Sequence, residues 1–102
     1  KAAYESDGMD NSVVIGHRAG YGNTSGTING RFLVVIGKDA AYNMVNIDNS
    51  VVIGYKAGYN ASTASGSVFV GYQAGDAITT GNDNVIIGRD AASDLTVCNN
   101  RY

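Results

Sequence analysis

The apolar residues of this chain arrive in short dense bursts, each closed by a glycine. Ser12-Val13-Val14-Ile15-Gly16, Leu33-Val34-Val35-Ile36-Gly37, Ser50-Val51-Val52-Ile53-Gly54, Ser67-Val68-Phe69-Val70-Gly71 and Asn84-Val85-Ile86-Ile87-Gly88 are five copies of one motif. β-Branched side chains dominate each burst, which predicts a strand of four or five residues. The stretches between, such as Ala77-Ile78-Thr79-Thr80-Gly81-Asn82-Asp83, are too short and too rich in Gly, Asn and Thr for a helix. They suit a second short strand flanked by turns.

The five glycines Gly16, Gly37, Gly54, Gly71 and Gly88 are separated by 21, 17, 17 and 17 residues. Three positions after each stands an alanine, Ala19, Ala40, Ala57, Ala74 and Ala91, followed by Gly20, Ala41, Gly58, Gly75 or Ala92. One step further come Tyr21, Tyr42 and Tyr59, replaced by Asp76 and Ser93. A unit of 17 residues is too long for a hairpin arm and too short for a βαβ unit. It suits one coil of an all-β, parallel β-solenoid, a β-roll or β-helix whose strands stack about 4.8 Å apart on their own copies. The glycines are then expected where the chain turns sharply, and the Ala-Gly or Ala-Ala pairs where a neighbouring backbone approaches closely. Residues 1–102 read as a single repeat module of about six coils, beginning and ending inside a repeat. The longer interval carries four extra residues within Gly22 to Arg31, read as an insertion loop that leaves the register intact.

All three central residues of each burst are apolar, so both faces of the strand call for cover. Val13 and Ile15 point one way and Val14 the other, with the same alternation in the later copies. A solitary solenoid with one wet face would alternate apolar with polar. The second cover is expected to be another copy of the chain, in an intertwined or side-by-side homotrimer that also supplements a thin core.

Composition narrows the function. Charged residues make up 16% of the chain, with Lys+Arg 7 against Asp+Glu 9 and a net charge of -2, and no basic cluster, so nucleic acid is not an expected partner. No apolar run reaches the roughly 20 residues of a membrane span, and Lys1 to Asp10 lacks the pattern of a signal peptide. Membrane insertion is not expected. Cys98 is the one cysteine, which leaves no internal disulfide; it reads as a small apolar filler.

Candidate chemistry is sparse, and no enzyme is expected. His17, the one histidine, shares its place in the repeat with Lys38, Tyr55, Tyr72 and Arg89 and reads as a surface residue. Asp10, Asp48 and Asp83 stand just ahead of their strands beside asparagines, where they suit turns; stacked copies could gather oxygen ligands for a hard cation such as calcium, but no Asp-x-Asp-x-Asp-Gly spacing occurs and no cofactor is expected. Asp39 and Asp90 follow Lys38 and Arg89 and read as solvated charge pairs on a ridge. Gly20-Tyr21-Gly22 lacks the strand-to-helix context of a phosphate loop. Tyr4, Tyr21, Tyr42, Tyr55, Tyr59 and Tyr72 suggest an aromatic ladder, structural in itself and a candidate platform for glycan or receptor contact.

The segments Asn49-Ser50-Val51-Val52-Ile53-Gly54-Tyr55-Lys56-Ala57-Gly58-Tyr59-Asn60 and Ser67-Val68-Phe69-Val70-Gly71-Tyr72-Gln73-Ala74-Gly75 resemble the repeats of bacteriophage tail fibres and related virion appendages. They are also similar to head-domain repeats of trimeric autotransporter adhesins. The likeness covers essentially the whole chain. It implies a trimeric parallel β-roll or β-helix within an elongated fibre that presents a surface to a host cell, with other fibre or virion proteins as partners. The 17-residue period is longer than is usual in the adhesins, and Tyr55 and Tyr72 after the glycine are bulky for that pattern, so the fibre comparison is preferred. The function this implies is that of a rigid trimeric spacer in a viral tail fibre, located on the virion or an extracellular surface. A bacterial adhesin head segment is one alternative. Another is a monomeric solenoid binding ice or a glycan through Thr24, Thr27, Thr63, Thr79, Thr80 and Thr96, which lack regular Thr-x-Thr spacing.

Overall fold

The computed structural model describes residues 11–22, 31–43, 45 and 47–92. Tyr4, Asp10, Thr24, Thr27, Thr96, Cys98 and most of the insertion loop lie outside the described residues. Five strands, β1 (Val13–Ile15), β2 (Val34–Ile36), β3 (Val51–Ile53), β4 (Val68–Val70) and β5 (Val85–Ile87), form one sheet in the order β1-β2-β3-β4-β5. Every pairing is parallel, and like residues face like, as in Val13↔Val34, Val52↔Phe69 and Val70↔Ile87. The chain is therefore a β-solenoid of about four turns. The extra residues between β1 and β2 do not shift the register, since Val14 still meets Val35.

Each strand spans three residues, shorter than the four or five expected. The cause is backbone handedness on either side. Asn11, Phe32, Asn49, Gly66 and Asp83, two residues ahead of each strand, sit at φ of 55 to 67°, and the closing glycines at 124 to 133°. Both lie outside extended space. Backbone pairing between coils nevertheless continues well past the strands. Ahead of β3 the Asn49 amide donates to the Arg31 carbonyl (2.9 Å), while beyond it Lys56 donates to Lys38 (3.0 Å) and Asn43 to Tyr59 (2.9 Å). The expected second strand is reduced to a single parallel bridge, Thr63↔Thr80. Consecutive turns on this wall, closed by amide bonds such as Ala61 to Gly58 (2.9 Å) and Ile78 to Gly75 (3.1 Å), leave no longer extended run.

The core is a narrow shaft filled from three sides. The middle strand residues Val35, Val52 and Phe69 are fully buried and Ile86 nearly so, opposed by Ala19, Ala40, Ala57 and Ala74 and by Ile47, Ala61, Ala64 and Ile78. Small side chains follow from the girth of a 17-residue coil, which leaves little room between its walls. One polar file runs inside. The Ser67 amide donates to Ser50 Oγ and the Asn84 amide to Ser67 Oγ, both at 3.2 Å, while these hydroxyls donate to the Asp48 and Ser65 carbonyls at 3.0 and 3.3 Å. Each buried hydroxyl thus satisfies a donor and an acceptor.

One expectation about packing changes. The tightest backbone approach is at the strand-closing glycines rather than at the Ala-Gly pairs: a Cβ on Gly37 would stand 2.7 Å from the Gly54 carbonyl oxygen, and one on Gly54 2.5 Å from that of Gly71. The outer strand face is not sealed within one chain. Middle residues are buried in β2 to β5 and half-buried in β1, while their neighbours are half-buried in β2, β3 and β4 and more open at the ends of the sheet, with Val13 49%, Ile15 56% and Ile87 64% exposed. Each stands beside its counterpart in the adjacent coil, as Val13 does beside Val34 and Ile15 beside Ile36.

Candidate functional site

The corner after each strand concentrates the polar and aromatic chemistry of the described residues. It is built from a repeated turn in which the alanine amide returns to the glycine carbonyl three residues back, at 3.2 Å in all five copies from Ala19 to Ala91. The third residue of the turn is left-handed every time: Arg18, Asp39, Lys56, Gln73 and Asp90 have φ between 55 and 59°. Gly20, Ala41, Gly58, Gly75 and Ala92, two residues on, are left-handed as well. The double reversal throws the residue after each glycine outward, so His17, Lys38, Tyr55, Tyr72 and Arg89 are all exposed.

The tyrosines form two ladders, not one. Tyr21, Tyr42 and Tyr59 stack at 4.9 and 5.0 Å with rings within 4° of parallel. Tyr55 and Tyr72 stack separately at 5.2 Å and 19°. Lys56 joins the ladders, its Nζ 5.4 Å from the Tyr55 ring centroid and 5.5 Å from that of Tyr59. Lys38 approaches Tyr55 at 6.0 Å and Arg89 approaches Tyr72 at 5.4 Å. The ring spacing follows the coil repeat, so backbone geometry alone accounts for it. It also means that the facing sides of the phenols are occupied by one another, and the outer sides of the Tyr55 and Tyr72 pair by cations.

Asp39 departs from its expected place. It is 2% exposed and does not pair with its neighbour Lys38 in solvent; Arg18 of the preceding coil grips it with Nε–Oδ1 at 2.8 Å and Nη2–Oδ2 at 3.1 Å. That hydrogen bond raises the guanidinium pKa above its ordinary value. Residue type alone gave no sign of this, because the partner is Arg18, one coil away and 21 residues distant in sequence. Asp90 does behave as read, lying 3.6 Å from Arg89 at the surface. Asp76, which takes the tyrosine place in the fourth coil, has its pKa raised by partial burial and secondarily by the charge of Asp90.

The remaining candidates act structurally. Asp48 Oδ1 accepts from the Arg31 amide of the coil below at 2.9 Å, and Asn82 Oδ1 does the same for Ser65 at 3.0 Å, so this column caps backbone donors between coils. Asn43 and Asn60 pair side chain to side chain at 2.9 Å. Among the described residues no three His, Cys, Asp or Glu side chains gather as a metal would require. Comparison with protein families, with curated proteins and with solved structures finds no match to this chain.

Proposed function

We propose that the chain is a non-enzymatic structural segment, a stiff spacer that assembles as a homotrimer within a fibre such as a viral tail fibre. The observation that carries this reading is the outward face of β1 to β5. Val13 and Ile15, and their counterparts through Val85 and Ile87, put two aliphatic side chains per coil on a surface that the chain itself leaves open. These side chains are about half exposed, so completing the burial of one is worth on the order of 1 kcal/mol, and the same pair recurs in every coil. A second copy has the matching rise per coil, which lets the same contact repeat along the axis. Stiffness follows from the inter-coil hydrogen bonds, which run on beyond the strands into the turns. A spacer of this kind works on a virion or another extracellular surface, alongside other fibre proteins.

Sedimentation equilibrium at micromolar concentration tests the reading. The expected mass is three times that of the 10.6 kDa chain, falling to one chain when Ile53→Lys places a charge at the centre of the outer face. A wild-type chain that is folded and monomeric overturns it.

A further inference from the structure

We propose that the exposed corner column of His17, Lys38, Tyr55, Tyr72 and Arg89, with Lys56 beside it, binds an acidic glycan chain laid along the solenoid axis. The inference deepens the reading above and rests on it in one respect, that the segment is displayed where it meets a cell surface. The column contains only basic and aromatic side chains, and all five are exposed. Backbone bonds from Asp39 to His17, Lys56 to Lys38, Gln73 to Tyr55 and Asp90 to Tyr72, at 2.8 to 3.0 Å, hold it in register from coil to coil. Four inter-coil steps of about 4.8 Å make a straight row ~19 Å long, the reach of a few sugar units.

The charges decide which kind of glycan. Of the five described Lys and Arg residues, only Arg31 lies away from this corner. Arg18 is spent on buried Asp39, and Arg89 is shared with exposed Asp90. Among the described residues Lys38 and Lys56 make no salt bridge, and both ammonium groups approach the ring of Tyr55. Lys56 also lies near enough to Asp76 for its charge to act on that carboxylate. Two cations held on an aromatic platform suit carboxylate or sulfate groups, while the row of phenol edges suits sugar hydroxyls. Because the ring faces are already engaged, a neutral glycan lacks the stacking surface it would need, and the acidic class is favoured.

Calorimetric titration at low ionic strength separates these cases, using a heparin octasaccharide, an uncharged dextran oligosaccharide of equal length and a single-stranded oligonucleotide. Heparin is expected to bind at least about tenfold more tightly than dextran, and to weaken as salt is raised. The Lys38→Gln/Lys56→Gln variant is expected to lose about tenfold in heparin affinity with an unchanged circular dichroism spectrum. Tyr72→Leu is expected to weaken binding without altering the salt dependence. Equal binding of dextran, an unaffected lysine variant, or tighter binding of the oligonucleotide would overturn the proposal. Hydrodynamic mass measured on the same samples keeps the two readings apart. A monomer that binds heparin removes the trimeric spacer and leaves the ridge standing, whereas a trimer indifferent to heparin removes the ridge alone.

Discussion

The ring of Phe69 lies between two glycines of consecutive coils: a Cβ on Gly58 would stand 2.9 Å from its Cδ2, and a Cβ on Gly75 2.9 Å from its Cδ1. Val52, the corresponding inward residue one coil below, is smaller, and so is Val35 below that. In the coil of Val35 the glycine place is filled by Ala41, at φ 50°. The large residue in the strand and the missing side chain at the corner are therefore complementary.

This pairing predicts non-additive mutations. Gly75→Ala should cost about 2–3 kcal/mol, part from a left-handed alanine and part from overpacking against Phe69. In a Phe69→Val background the overpacking part should vanish, giving a coupling of about 1 kcal/mol or more in a double-mutant cycle. Urea denaturation of the four proteins measures it, and strict additivity would refute the pairing.

Closing glycines should differ with their place in the stack. Gly54→Ala forces a Cβ to 2.5 Å from a backbone carbonyl oxygen, whereas at Gly88 the nearest described atom is Ala91 Cβ at 3.8 Å. Both sites carry φ near 128°, so the backbone strain is shared. Gly54→Ala is expected to cost on the order of 3 kcal/mol or more, and Gly88→Ala clearly less. Thermal melts of the two variants compare them directly, and equal losses would contradict the close approach.

The Arg18 and Asp39 pair should respond asymmetrically. Asp39 is 3% exposed at the side chain and Arg18 38%. Arg18→Met strands a buried carboxylate, while Asp39→Asn leaves a cation that water can reach, in a residue type tolerant of the left-handed backbone. The drop in melting midpoint from Arg18→Met is expected to be about twice that from Asp39→Asn or more at neutral pH. The reverse order would show that the carboxylate is not truly enclosed.

Asp76 supplies a pH signature. Its folded-state pKa is raised, so the folded chain holds the proton more tightly than the unfolded one. The resulting stabilisation is complete below the ordinary aspartate value and is lost as pH rises through the raised one. Asp76→Asn should therefore raise the melting midpoint slightly at neutral pH, on the order of a degree once solvent screening is allowed for. The gain should fade as the buffer is taken down into the ordinary carboxylate range. A gain that instead grew with acidity would reverse the sign argued here.

Much of the architecture can be read from spacing alone. A glycine followed by alanine three residues later, five times over, dictates parallel stacking in register, but the all-apolar triplet Val51-Val52-Ile53 does not say which face turns inward; the structure buries Val52. The site was less legible. Arg18, Asp39, Lys56, Gln73 and Asp90 carry no common residue type that would announce a left-handed turn, and the grip of Arg18 on Asp39 depends on which coil lies next to which. The tyrosines were visible as a set, but their division into two ladders depends on how far the chain rotates between Tyr55 and Tyr59. The three-residue strands and the lone Thr63↔Thr80 bridge likewise follow from backbone handedness that composition does not report.

Register that survives four inserted residues between β1 and β2 has an evolutionary corollary. Duplicating one 17-residue unit lengthens the rod by a single rung of about 4.8 Å and reproduces the same sockets above and below it. Reach can thus be adjusted by unequal recombination in small uniform increments, while new loops are grafted at one corner without disturbing the ruler.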